Sequence, residues 1–254
     1  MSKLAFVFPG QGSQSVGMLA DLAVSHPVIK ATFDEASAAL GLDLWALSQN
    51  GPVEDLNQTE NTQPALLTAG VAVFRAWQAA GGRTPDYLVG HSLGEYTALV
   101  AAGAISLADG VRLVAERGRL MQSAVPAGEG AMAAILGLDD DMVRQCCAEA
   151  AAVGVVEAVN FNAPGQVVIA GSTAAVNAAI EKLKAAGAKR ALPLPVSVPS
   201  HCALMKPAAE KLRPVLESIV FSAPTIPVVQ NVAARIEADA FAIREALVQQ
   251  LYCP

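Results

Sequence analysis

Gly90-His91-Ser92-Leu93-Gly94 is a G-x-S-x-G pentapeptide set between the apolar Tyr87-Leu88-Val89 and the helix-forming Glu95-Tyr96-Thr97-Ala98-Leu99. Glycines on both sides permit a sharp strand-to-helix turn. Such a turn exposes the serine hydroxyl at the strand's carboxyl end and aims a helix N-terminus at developing negative charge. Ser92 is therefore the candidate nucleophile. Its hydroxyl needs a base, and the chain offers three histidines: His26, His91 and His201. His91 is adjacent to Ser92, where consecutive side chains diverge, so it suits support of the turn. His26 precedes a proline in a polar connection. His201, in Pro199-Ser200-His201-Cys202, follows an apolar strand and comes after the serine in chain order, as in α/β hydrolases. It is the first choice of base, with a structural loop histidine as the alternative. Cys202 is a weaker nucleophile candidate, because it lacks an elbow and adjacency to a histidine does not bring the side chains together. The oxyanion of an acyl transfer needs preorganised N–H donors. The Leu93 amide supplies one by position. The Gln11 amide, in the loop Pro9-Gly10-Gln11-Gly12 after an apolar strand, is the candidate for the other. A phosphate-binding turn is the alternative for this loop, but it has neither G-x-G-x-x-G spacing nor a P-loop lysine.

The elements that must position these residues alternate between α and β. Leu4–Phe8 reads as a buried strand, Val28–Leu40 as a helix, and Thr62–Ala80 as a helix with Thr62 as N-cap and Pro64 in its first turn. Ser106, with Asp109 three residues on, resembles a capping box for a helix running to about Ser123 and carrying Arg112, Arg117 and Arg119. From about Gly130 to Pro195 the order becomes βαββαβ, which predicts a ferredoxin-like small domain. The expected division is residues 1–127 with 196–254 as a large α/β domain with a mostly parallel sheet, and 128–195 as the small one. With 53% hydrophobic and only 16% charged residues, the composition fits a globular α/β enzyme and excludes a disordered chain. A net charge of −6 argues against nucleic acid as a partner. No apolar run of membrane-spanning length and no signal-peptide pattern is present, so no membrane association and a cytoplasmic location are expected. Four cysteines without paired C-x-x-C spacing support neither a disulfide framework nor a metal site.

Together, Phe8-Pro9-Gly10-Gln11-Gly12-Ser13-Gln14, Gly90-His91-Ser92-Leu93-Gly94-Glu95-Tyr96 and Val198-Pro199-Ser200-His201 resemble the malonyl-CoA:acyl carrier protein transacylase family of fatty acid biosynthesis. The likeness extends to Thr62-Gln63-Pro64-Ala65, to Asn160-Phe161-Asn162-Ala163-Pro164-Gly165-Gln166 and to the Arg117 helix. It implies an α/β-hydrolase-like core with a ferredoxin-like insertion, and a Ser92–His201 dyad whose histidine is oriented by the backbone carbonyl of Gln250. It also implies that Arg117, Gln63, Asn160 and Asn162 bind substrate. Position alone does not choose Arg117 over Arg112 and Arg119; the family pattern does. The implied partners are malonyl-CoA and acyl carrier protein, with coenzyme A and phosphopantetheine as acyl carriers, no further cofactor, and a monomeric enzyme. The family continues past the position of Pro254 with further strand and helix elements, so a shortened, less active chain is one expectation. A serine thioesterase or an inactive carrier-binding fragment are the alternative functions.

Overall fold

The computed structural model describes residues 2–196 and 198–254. Among them, contacts divide the chain into two compact units, Met1–Arg119 with Pro214–Ala246, and Leu120–Arg213 with Leu247–Pro254. The expected division puts 120–127, 196–213 and 247–254 with the larger part, whereas by contacts they group with the second unit. The reason lies in local packing: Cys202 joins Met132, Val159, Val168 and Ala170 in one buried cluster, and the His201 N–H donates to the Leu251 carbonyl at 2.9 Å.

In the first unit, β1 (Ala5–Phe8), β2 (Tyr87–Gly90) and β7 (Val228–Val229) form a parallel sheet in the order β1-β2-β7. Its helices are α1 (Ala20–Ser25), α2 (Val28–Leu40), α3 (Leu44–Asn50), α4 (Val53–Leu56), α5 (Thr59–Ala79), α6 (Leu93–Ala101) and, each divided between the two units, α7 (Leu107–Ala124), α10 (Lys206–Ser218) and α11 (Ala240–Gln250). α5 and α6 are buried along most of their length, as expected for helices rich in Ala, Val and Leu with no charged face to solvate. α5 begins at Thr59, not with Thr62 as cap. The Thr62 hydroxyl donates to the Leu56 carbonyl at 2.6 Å and its amide to the Gln58 carbonyl at 2.8 Å, so the helix is already formed before Pro64. At the start of α7, Ser106 caps the helix: its hydroxyl accepts from the Asp109 N–H at 3.0 Å and donates to Asp109 Oδ2 at 2.7 Å, so the return bond runs to the hydroxyl and not to the backbone N–H of a full capping box.

In the second unit, β3 (Gly130–Leu136), β4 (Val156–Ala163), β5 (Gln166–Ser172) and β6 (Arg190–Pro193) form a sheet in the order β4-β5-β3-β6, every neighbour antiparallel. α8 (Asp140–Ala150) and α9 (Thr173–Ala185) connect them. Alternation along the strands sends Ala133, Ile135, Val167 and Ile169 into the cluster with Val143, Ala179 and Leu183 of these helices. Met132, Val168 and Ala170 point the other way, toward Cys202 and Leu204. No helix of the described residues is long and apolar enough to cross a membrane.

Candidate active site

β2 ends at Gly90 and α6 starts at Leu93, so the chain turns on His91 and Ser92. Ser92 has φ 52° and ψ −107°. Holding a residue with a side chain in such a conformation costs roughly 1–3 kcal/mol. A Cβ on Gly90 would stand 1.9 Å from the Gly94 carbonyl carbon, so only glycine lets the helix fold back this tightly. His91 serves the turn through its backbone: its N–H donates to the Phe8 carbonyl at 3.0 Å, and its carbonyl accepts from the Gly94 N–H at 2.9 Å. Leu93 opens α6, where an amide has no intrahelical acceptor, and no hydrogen bond from it is found among the described residues.

The loop after β1 lies against this turn. A Cβ on Gly10 would be 2.8 Å from the His91 carbonyl oxygen, and Gln11 follows, exposed. The loop's shape is held from within. The Ser13 hydroxyl donates to the Gly10 carbonyl at 2.7 Å, while the Gln14 carboxamide accepts from the Gly12 N–H at 2.8 Å and donates to Asn57 Oδ1 at 2.7 Å.

Arg117 is fully buried, whereas Arg112 and Arg119 on the same helix are exposed. Its Nη1 donates to Gln63 Oε1 at 2.8 Å and its Nη2 to Ser92 Oγ at 3.2 Å. The guanidinium carbon lies 5.2 Å from the centre of the Tyr96 ring. Burial pushes the Arg117 pKa below its usual value, against the opposing pull of Tyr96 and Glu95. Burial pushes the Tyr96 phenol up to about 12, with Arg117 opposing and Glu95 adding to the rise.

Sequence reasoning missed Asn231. Its Oδ1 accepts from the Ser92 N–H at 2.7 Å, its Nδ2 donates to the Gly90 carbonyl at 2.6 Å, and its backbone N–H donates to Glu95 Oε2 at 3.0 Å. A single asparagine after a two-residue strand carries no local signature, and the buried Glu95 in the first turn of an apolar helix was the one available hint.

His201, Gln250, Asn160 and Asn162 belong to the two-helix, four-stranded unit or its appended segments. His201 is buried with φ 67°, and its Nδ1 stands 2.7 Å from the Gln250 carbonyl oxygen. A carbonyl only accepts, so in the neutral ring Nδ1 carries the proton and Nε2 keeps a lone pair. The Cys202 thiol donates to the Pro199 carbonyl at 3.2 Å, and burial raises its pKa to about 12. It is a protonated, inert thiol at neutral pH. Asn160 and Asn162 lie on β4, beside its two register shifts, half-buried and exposed respectively. Among the described residues no cluster of His, Cys, Asp and Glu suited to a metal ion is found. The structure thus gathers Ser92, Leu93, Arg117 and Gln63 in one unit, and His201 with the Gln250 carbonyl in the other.

The site so described is a serine at positive φ with a buried guanidinium 3.2 Å from its hydroxyl, and the chain that carries it resembles known proteins. Residues 5–246 match the acyl transferase domain family. The chain is 65% identical to the malonyl CoA-acyl carrier protein transacylase of Escherichia coli K12 and 49% identical to that of Bacillus subtilis 168, in each case over 100% of its length and 82% or 80% of the relative's. The acyl carrier protein S-malonyltransferase of Vibrio cholerae superposes with a TM-score of 0.97 at 62% identity, covering 100% of this chain and 83% of that one. A malonyl-transacylase solved in complex with a type II PKS acyl-carrier protein gives 0.98 at 61%, covering 100% and 82%. The chain belongs to the acyl transferase domain family and groups within it with the malonyl CoA-acyl carrier protein transacylases.

Proposed function

We propose that the protein is an acyl-carrier-protein S-malonyltransferase of fatty acid biosynthesis, working in the cytoplasm by a ping-pong mechanism. Ser92 Oγ attacks the thioester carbonyl of malonyl-CoA as His201 Nε2 takes its proton. The amides of Leu93 and Gln11 hold the oxyanion, and the intermediate collapses with protonation of the departing coenzyme A thiol by His201. A malonyl-serine ester remains. The phosphopantetheine thiol of acyl carrier protein gives its proton to His201 and attacks this ester. Malonyl passes to sulfur and Ser92 recovers its proton. The Gln250 carbonyl keeps His201 in the tautomer this cycle needs. Coenzyme A and phosphopantetheine carry the acyl group in and out, and no step calls on a metal or redox group.

The observation that carries this reading is the buried Arg117 guanidinium, 3.2 Å from Ser92 Oγ and braced by Gln63. A malonyl group seated for attack has its carboxylate one methylene beyond the reacting carbonyl, within reach of that fork. Paired charge-assisted hydrogen bonds then reward malonyl over acetyl. Asn160 and Asn162 complete the substrate contacts, and residues 128–195 form a ferredoxin-like domain inserted in an α/β-hydrolase-like core of residues 1–127 and 196–254. The strand order β4-β5-β3-β6 with two connecting helices supports that assignment. Intact-mass analysis after mixing with malonyl-CoA, followed by addition of carrier protein, tests the cycle. A malonyl adduct that moves to the carrier's thiol is expected. Release to water at the same rate with and without a thiol acceptor would mark a hydrolase.

A further inference from the structure

The glycines of the elbow make room for the turn, but they do not hold Ser92 at φ 52°. In a parallel ladder, a residue gives its N–H to the carbonyl before its neighbour and accepts the N–H after it. β7 keeps that register beside β2 through Leu88 opposite Val228 and Val89 opposite Val229. The strand then ends, yet the same pair of bonds recurs once more from a side chain. The Asn231 carboxamide donates to the Gly90 carbonyl at 2.6 Å and accepts from the Ser92 N–H at 2.7 Å, flanking His91 as a further ladder residue would. Its backbone is pinned in turn by the buried Glu95 carboxylate, in the first turn of α6, at 3.0 Å. One residue therefore ties together the end of β2, the nucleophile and the start of α6.

We propose that Asn231 is a positioning residue for Ser92, holding the elbow in its strained, reactive conformation by continuing the sheet with a side-chain amide. The proposal rests on Ser92 being the nucleophile. Asn231 has the wrong place in the chain to be read as part of the motif, and its bonds run to backbone atoms, so its effect is on the geometry of attack and not on the hold on substrate.

The test is the single-turnover rate of malonyl-serine formation, followed by quenched intact mass over a range of malonyl-CoA concentrations. Asn231→Ala should lower the maximal rate by about 10²-fold, the scale expected when a reacting group is misplaced by about 1 Å. The half-saturating malonyl-CoA concentration should stay the same. Asn231→Asp supplies the second arm. A protonated carboxyl has the same donor and acceptor as the carboxamide, while an ionised one turns a lone pair toward the Gly90 carbonyl. The ratio of its rate to that of the wild type should therefore rise as pH is lowered. The titratable and charged groups joined to this cluster are Glu95 of α6, Arg117 of α7 and His91 of the elbow. All are present in both proteins, so the substituted side chain is the one titratable difference between them. Should Asn231→Ala not fold, the Asn231→Asp profile decides. A wild-type rate in the alanine variant, an effect confined to half-saturation, or a flat ratio for the aspartate variant would each overturn the proposal. A malonyl adduct that survives Ser92→Ala would instead overturn the assignment of the nucleophile, and the positioning role with it.

Discussion

Ser92 and Ser172 each stand at the junction of a strand and a helix, and a glycine that tolerates no side chain precedes each, two residues before Ser92 and one before Ser172. A Cβ on Gly171 would lie 2.0 Å from the Val155 carbonyl oxygen, much as one on Gly90 would strike Gly94. There the likeness stops. Ser172 has an unstrained φ of −67° and ψ of 145°, and the first amide of the helix behind it, that of Thr173, is taken by the Glu129 carbonyl at 2.9 Å. Ser92 is held at positive φ, and no hydrogen bond from the first amide of its helix, that of Leu93, is found among the described residues. Tight glycine packing is thus common to both turns. What sets the Ser92 turn apart is backbone strain beside a buried cation.

Replacing each serine is the strongest way to break this contrast. Ser92→Ala should abolish the malonyl mass adduct, and Ser172→Ala should leave it intact; an adduct that persists without Ser92 would remove the distinction. Arg117 sharpens it further. Leaving a buried guanidinium without the carboxylate it is built for costs about 2–5 kcal/mol, which is roughly 30-fold to several-thousand-fold discrimination. Arg117→Ala should lose malonyl transfer while keeping or gaining acetyl transfer, measured by competition between the two thioesters. A malonyl preference that survives the substitution would assign the carboxylate to another residue. His201→Ala should slow acylation by at least about 10²-fold, as for a lost general base, and an equally severe, well-folded His91→Ala would contradict His201 as the base.

Smaller effects are expected from burial. The Tyr96 phenol titrates near 10 when unfolded and is pushed up to about 12 in the fold. A raised acid pKa means the unfolded chain loses its proton first, so this contribution to stability is complete below about pH 10 and is lost as pH climbs toward 12. Thermal melts should fall across that window, and Tyr96→Phe should lessen the fall; identical slopes for the two proteins would contradict it. Cys202, also held near 12, should resist alkylation at neutral pH, and Cys202→Ala should leave the adduct unchanged by mass.

The elbow was legible because its chemistry is local: glycines, a serine and a change from strand to helix fall within five residues. Val28–Leu40 was legible to the residue because its apolar face recurs at helical spacing and Gly41 ends it. Arg117 was not separable from Arg112 and Arg119 by periodicity, since burial depends on what the helix packs against, and Gln63 arrives from α5, 54 residues earlier. Asn231 was invisible for the same reason in stronger form. The short helices α1, α3 and α4 escaped notice because four to seven residues carry too little periodicity to read.

The bond between Asn231 and Ser92 spans 139 residues of chain. Closing a loop of that length is entropically unfavourable and slow, and it waits on the pairing of β7 with β2. A nascent chain that has emerged only through the antiparallel sheet therefore carries the G-x-S-x-G sequence without the residue that shapes it. If Ser92 is the nucleophile, its geometry is completed by a residue near the end of the sequence, so reactivity should arrive with completion of the parallel sheet and not with synthesis of the serine.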